Sequence, residues 1–140
     1  MKKLYLIVLF LFMVMLTVSS QVLYLYGGKE HDVFLGAINV NKYSSESIWN
    51  EYSSYGSKYS SKSIWNKYGT YGGKYSSYSP FNAYASYPPV IVDEDGNFYG
   101  YLTVNRYKTN RANFDLAEMI CKFWETIIED VSEAYDTIFQ

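Results

Sequence analysis

His31, flanked by Glu30 and Asp32, is the single histidine of the chain, and with Asp32 it is the one base–acid pair that a serine nucleophile would need. Serines are plentiful, yet none sits in a nucleophile-elbow motif, so a small hydrolase or hydrolase accessory using His31 is the alternative reading rather than the leading one. Asp93, Asp95 and Asn97 alternate like the opening of a calcium loop. Gly96 comes too early for that pattern and no glutamate closes a loop of about twelve residues, so a hairpin turn explains Asp-Gly-Asn more simply. One cysteine and one histidine do not fill a tetrahedral zinc site, and no metal or cofactor is expected. The acids Glu129 and Asp130, and Glu133 and Asp136, fall on the polar side of a helical pattern and read as a solvated face, not a glycosidase pair. No residue is assigned a catalytic role.

What recurs is aromatic. Three 16-residue blocks follow one another without a gap, KYSSESIWNEYSSYGS from Lys42, KYSSKSIWNKYGTYGG from Lys58 and KYSSYSPFNAYASYPP from Lys74. A repeat at fixed spacing is one structural unit used several times, so the same side chains are presented in rows. Tyr43, Tyr59 and Tyr75 form one row and Tyr55, Tyr71 and Tyr87 another. Rows left outside the core would offer flat, rigid, amphipathic faces beside Ser and Lys, suited to a protein or a polysaccharide. The competing use of these tyrosines is to hold a core poor in aliphatic residues.

The elements that position these rows follow from local pattern. Ser79-Pro80 matches a helix cap and first helical position, and predicts that residues 42–89 form three short capped helical turns, Ile48 to Tyr52 in the first copy. One turn of helix needs packing to persist, so the expected repeat core is Ile48, Trp49 and Tyr52, then Ile64, Trp65 and Tyr68, then Phe81 and Tyr84, joined as an aromatic spine. Lys42, Lys58 and Lys74 would be neighbouring like charges in a tight ladder, which favours offset helical turns over a regular β-solenoid. Asn50, Asn66 and Asn82 recur at one phase and are expected to bond backbone in the turns.

Outside the repeats, residues 21–41 form a lead-in with a short strand candidate at Val22 to Tyr26, broken by Gly27 and Gly28, and a second apolar piece at Val33 to Val40. Pro88 and Pro89 end the repeats, and residues 90–107 read as a β-hairpin turning at Asp93 to Asn97. From Asn113, a good cap, Leu116, Ile120, Phe123, Ile127, Val131, Ala134 and Ile138 step by three and four, predicting one acidic amphipathic helix over residues 113–139. Its apolar face packs on the hairpin and repeats, or alternatively forms a homodimer seam. The fold class is therefore α+β.

Lys2 and Lys3 precede an apolar run from Leu4 to Leu16, and the small Val18 and Ser20 suit a cut before Gln21, so residues 1–20 read as a signal peptide. The rival is an uncleaved N-terminal membrane anchor through residues 4–26, which would make the chain a structural, membrane-tethered module. Both place the rest outside the cytoplasm, periplasmic or extracellular. Without Lys2 and Lys3, ten bases face fourteen acids, a balance that argues against phosphate-backbone binding and hence against a nucleic acid partner. Seven acids and one base, Lys122, lie from Asn113 onward, so the acidic tail is attracted to the mildly basic region before it. Cys121 has no internal partner, leaving a buried thiol or an intermolecular bridge.

The segment FLGAINVNKYSSESIWN, the repeated SIWNxYxxYG, the phrase YSSYSPFNAYASYPP and the following VIVDEDGNFYGYLTVN together resemble a group of small exported bacterial proteins of uncharacterised function. In that group Ser-x-Ser-Ile-(Trp/Phe)-Asn-x-Tyr-Gly-x-Tyr-Gly-Ser units precede a proline pair and a Val-Asp-x-Asp-Gly-Asn hairpin. The similarity covers about residues 34 to 107 and leaves the final helix outside. Relatives often carry a cysteine pair where this chain has Ala37 and Val40, so no disulfide or metal role is carried over. The resemblance implies an exported module and supplies no reaction. The expected function is a non-catalytic exported repeat protein whose Tyr/Ser surface binds a protein or polysaccharide partner in the cell envelope or outside the cell.

Overall fold

A computed structural model describes residues 21–140; the expected signal peptide or anchor lies outside the described residues, apart from the end of the 4–26 span. That end is not helical. Leu23–Gly27 is strand β1, paired with β2 (Val33–Ala37); β3 (Val90–Asp93) and β4 (Phe98–Tyr101) form the second hairpin. The four strands make one antiparallel sheet in the order β2-β1-β3-β4, with Leu25 opposite Ile91 at its centre and both side chains buried. Two helices follow, α1 (Asp115–Glu129) and α2 (Val131–Phe139), so the fold is α+β. Among the described residues no helix is long and apolar enough to cross a membrane.

The two hairpins are copies of each other. Tyr24 pairs with Ala37 and Tyr26 with Phe34, as Val90 pairs with Tyr101 and Val92 with Phe98, and both ladders slip register at the same place. Ala37 bridges in parallel to Ser47 as Tyr101 does to Arg111, which covers both sheet edges with backbone that would otherwise be unpaired. Gly36 (φ 106°) and Gly100 (φ 120°) are the hinge of each copy, a conformation that L side chains rarely adopt. A Cβ on Gly100 would also stand 2.6 Å from the Ala112 amide nitrogen, and one on Gly36 2.9 Å from the Glu46 carbonyl. Because β1 and β3 run antiparallel side by side, an approximate two-fold axis relates the hairpins through the sheet centre.

Residues 42–89 contain no helix, which corrects the expected capped helical turns. They form consecutive β-turns. Carbonyls of Asn41, Ser44, Ser47 and Asn50 accept the amides of Ser44, Ser47, Asn50 and Ser53, each three residues on; the second copy repeats this at Ser57, Ser60, Ser63 and Asn66. A four-residue step, as from Ser53 to Ser57 or Gly69 to Gly73, then restores the phase for the next copy. At most corners the side chain also accepts the amide two residues on, as Ser47 Oγ does from Trp49 (3.0 Å), Ser63 from Trp65 (3.1 Å) and Ser79 from Phe81 (3.0 Å). Serine followed by proline suits a type I turn as well as a helix cap, and here the turn wins because every third residue offers the same closure. Asn50, Asn66 and Asn82 each donate Nδ2 to the carbonyl six residues back, which ties two successive turns within a copy, and the expected backbone role is observed.

One triplet of each copy is buried throughout, Ser47, Ile48, Trp49, then Ser63, Ile64, Trp65, then Ser79, Pro80, Phe81, with Gly56, Gly72, Pro88 and Pro89 also buried. Trp49 Nε1 donates to the Ile38 carbonyl just after β2 (2.7 Å) and Trp65 Nε1 to the Ile48 carbonyl of the preceding copy (2.6 Å), so each indole satisfies its one polar group on backbone that comes before it. The rings form a continuous spine, Trp49 to Trp65 at 5.5 Å and Trp65 to Phe81 at 5.8 Å. The helices close it: Trp124 of α1 stacks on Phe81 at 4.7 Å, while Tyr135 and Phe139 of α2 lie against Trp49. Tyr52, Tyr68 and Tyr84 do not join it, being 90%, 88% and 93% exposed; residues four apart share a face on a helix but not on a coil that turns every three.

The single helix expected over 113–139 is two. It begins at Asp115, with Phe114 rather than Asn113 in the capping position and no side-chain cap bond, and it breaks at Asp130. Asp130 is extended (φ −153°) and its carboxylate accepts the Glu133 amide at 3.0 Å, capping α2. Lys42 Nζ bonds Asp136 (2.8 Å) and Ser132 (3.1 Å), and Arg111 bonds Glu118, so the acidic tail does dock on bases that precede it.

Gly100→Ala is expected to lower unfolding stability by about 3 kcal/mol or more, since it adds strain at positive φ to a backbone clash. Gly96→Asn, at φ 82° with open space around it, should change stability by less than about 1 kcal/mol. Urea unfolding of both variants checks the pair.

Candidate binding surface

The coil decides which tyrosines face outward. In each copy the triplet containing Lys42, Lys58 or Lys74 ends in Tyr43, Tyr59 or Tyr75, and these are 80%, 83% and 89% exposed. The Asn-x-Tyr triplet after the spine adds a second exposed row, Tyr52, Tyr68 and Tyr84. Their backbone is fixed although the rings are not buried: Tyr43 N donates to Asn41 Oδ1 (2.8 Å), Tyr52 N to Asn50 Oδ1 (3.0 Å) and Tyr84 N to Asn82 Oδ1 (2.9 Å). Lys58 Nζ lies 5.7 Å from the Tyr59 ring centre and Lys67 5.2 Å from that of Tyr68, weak exposed cation–π contacts of about 0.5–1 kcal/mol. Tyr107, which stands to the second hairpin as Tyr43 does to the first, is also exposed, with its amide on Asn105 Oδ1.

Tyr55, Tyr71 and Tyr87 are placed differently. They are half-buried on the hairpin side of the coil, Tyr55 against Phe34 (4.9 Å), Tyr71 against Tyr78 (6.5 Å) and beside Gly27, and Tyr87 stacked on Tyr78 (5.6 Å). The two rows expected to act alike thus divide, one free and one packing the coil onto the sheet. The free Tyr52 row was missed because it was read on helical spacing. Its signal is the corner residue, Ser, Asn or Gly, that stands at nearly every third position from Asn41 to Asn82.

A cleft of about 730 Å³ runs where the coil meets the α1–α2 junction. Tyr52, Lys58 and Tyr59 border one side, and Glu129, Asp130 and Glu133 the other, so both exposed rows reach a concave surface here. Such a wall offers ring faces for stacking and oxygens for hydrogen bonds, the hydroxyls of Ser57 and Ser132 among them.

The other chemistry-bearing residues have structural occupations. His31 Nε2 is 3.2 Å from the Pro88 carbonyl, which only accepts, so that nitrogen carries the proton and the ring ties one hairpin to the other. No serine hydroxyl is bonded to it among the described residues. Asp93 organises its own turn: Oδ1 accepts the amides of Asp95 and Asn97 (both 2.9 Å), and Oδ2 accepts Asn97 Nδ2 and Tyr99 Oη (both 2.9 Å). The Asn97 side-chain bond above all, with help from the backbone amides and Tyr99, holds its pKa below the usual carboxylate value. The Cys121 thiol is half-buried beside Arg111, and desolvation pushes its pKa up to about 11, which keeps it protonated and poorly nucleophilic at neutral pH.

Comparison of the chain with protein-family models, with curated proteins and with solved structures finds no match.

A carboxylate whose pKa is depressed by folding stabilises the fold above its unfolded value near 3.9, and that stability is lost as pH falls through the folded pKa. Asp93→Asn is therefore expected to unfold more easily than wild type at pH 6, with the gap closing below about pH 4. Thermal melts across that range check the convergence.

Proposed function

We propose that this chain is a non-catalytic exported repeat protein that binds a protein or polysaccharide partner in the cell envelope or outside the cell through its exposed tyrosine rows. The observation that carries this reading is the combination of six repeat tyrosines, each at least 80% exposed, with a backbone that is locally hydrogen-bonded under them. Large exposed aromatics on a rigid frame present contact area whose conformational entropy has been partly spent on folding, which favours association. Their regular order suits a partner that is itself periodic or extended. The leader over residues 1–20 and the resemblance to small exported bacterial proteins support the location.

The test is a pair of triple variants, Tyr43→Ser, Tyr59→Ser, Tyr75→Ser and Tyr52→Ser, Tyr68→Ser, Tyr84→Ser. Both should keep stability within about 1 kcal/mol, because these rings contribute little to the core. In a glycan array and a pull-down from envelope fractions, at least one should lose the wild-type partner; retention by both variants contradicts the reading. Mass spectrometry of the exported form is expected to show a chain starting near Gln21.

A further inference from the structure

The helices α1 and α2 hold the coil with Trp124, Tyr135 and Asp136, and between them, away from those contacts, they leave a groove of about 550 Å³. Its apolar lining is Met119, Phe123, Ile127, Ala134 and Ile138. Phe123 is 47% exposed, an aromatic ring left open on a helix whose neighbouring tryptophan is stacked in the core. Glu129, Asp130 and Glu133 border the groove at the helix junction, and the nearest base to its lining among the described residues is Lys122, whose Nζ lies 5.4 Å from the Phe123 ring centre at the other end. Asp136, the one tail carboxylate paired with a lysine among the described residues, does not line the groove.

The geometry points to a docking site for a basic amphipathic helix of a partner protein. A helix lays apolar side chains at three- and four-residue spacing into such a groove, while Lys or Arg on its flanks meets the three carboxylates. Methionine and phenylalanine adapt to the apolar side chains, and the acids select charge and orientation. A second copy seated groove to groove would bring two sets of three carboxylates into one interface, with only Lys122 of each copy near the lining to offset them. An anionic membrane meets the same repulsion. Glu129, Asp130 and Glu133 line both this groove and the cleft bordered by Tyr52 and Tyr59, whereas Phe123 lines the groove alone, so Phe123→Ser distinguishes the two sites.

The experiment uses the chain from Gln21 onward, as described, and a fluorescently labelled Leu/Lys amphipathic helix as probe, followed by anisotropy. Saturable binding is expected, weakened about tenfold or more by the Glu129→Gln, Glu133→Gln pair at low salt and by a smaller factor at high salt. Phe123→Ser, at an exposed ring, should fold normally and also bind about tenfold more weakly. Asp130 is left in place because it caps α2. Equal binding of a Leu/Glu helix, or indifference to Phe123→Ser, would overturn the proposal. So would a dimer in light scattering that Phe123→Ser dissolves, which makes a second copy the occupant, or adsorption to anionic vesicles without binding of the peptide.

Discussion

A serine hydroxyl that accepts the amide two residues ahead, while its own carbonyl accepts the amide three ahead, is the unit from which residues 42–89 are built. This stretch has neither an α-helical ladder nor a sheet, the two usual ways of satisfying backbone groups, so each corner must close its own bonds. Serine, asparagine and glycine are the residues able to do so in a tight turn. At Ser47, Ser63 and Ser79 the closure is buried, and losing the hydroxyl there would strand an amide in the core. The tryptophan that follows then ties the first copy to the end of the first hairpin at Ile38 and the second copy to the first at Ile48, through its indole N–H.

The rest of the architecture serves that coil. The duplicated hairpins supply a sheet whose buried centre, Leu25 and Ile91, backs the coil, and the half-buried tyrosines Tyr55, Tyr71 and Tyr87 fill the interface. The helices seal the two ends of the aromatic spine. Tyr43, Tyr52 and their repeats are what remains when all inward positions are taken. A surface so regular is a by-product of the repeat and also its most usable property.

Much of this was legible in the residues. The repeat, the burial of Ile48, Trp49, Ile64, Trp65 and Phe81, the hairpin at Asp93 to Asn97 and the attraction of the acidic tail all followed from pattern and charge. Ser79-Pro80 misled because a capped helix and a type I turn want the same two residues; what separates them is the three-residue recurrence of Ser and Asn. Helical spacing puts Tyr52 in the core, a period the backbone does not have, and the ring is exposed. The second hairpin as a copy of the first was readable in Phe34-x-Gly36 and Val40-Asn41-Lys42-Tyr43, which recur as Phe98-x-Gly100 and Val104-Asn105-Arg106-Tyr107. The break at Asp130 was hidden because the apolar stripe keeps its phase from Ile127 to Val131 across it.

Native-state hydrogen exchange resolved by residue tests the turn-by-turn closure most directly. The account predicts that the amides of Trp49, Trp65 and Phe81 are as protected as those of Leu25 and Ile91, and that Ser63→Ala selectively accelerates exchange at Trp65. Fast exchange throughout residues 42–89 in the folded protein, or a Ser63→Ala variant whose Trp65 amide is unaffected, would contradict it.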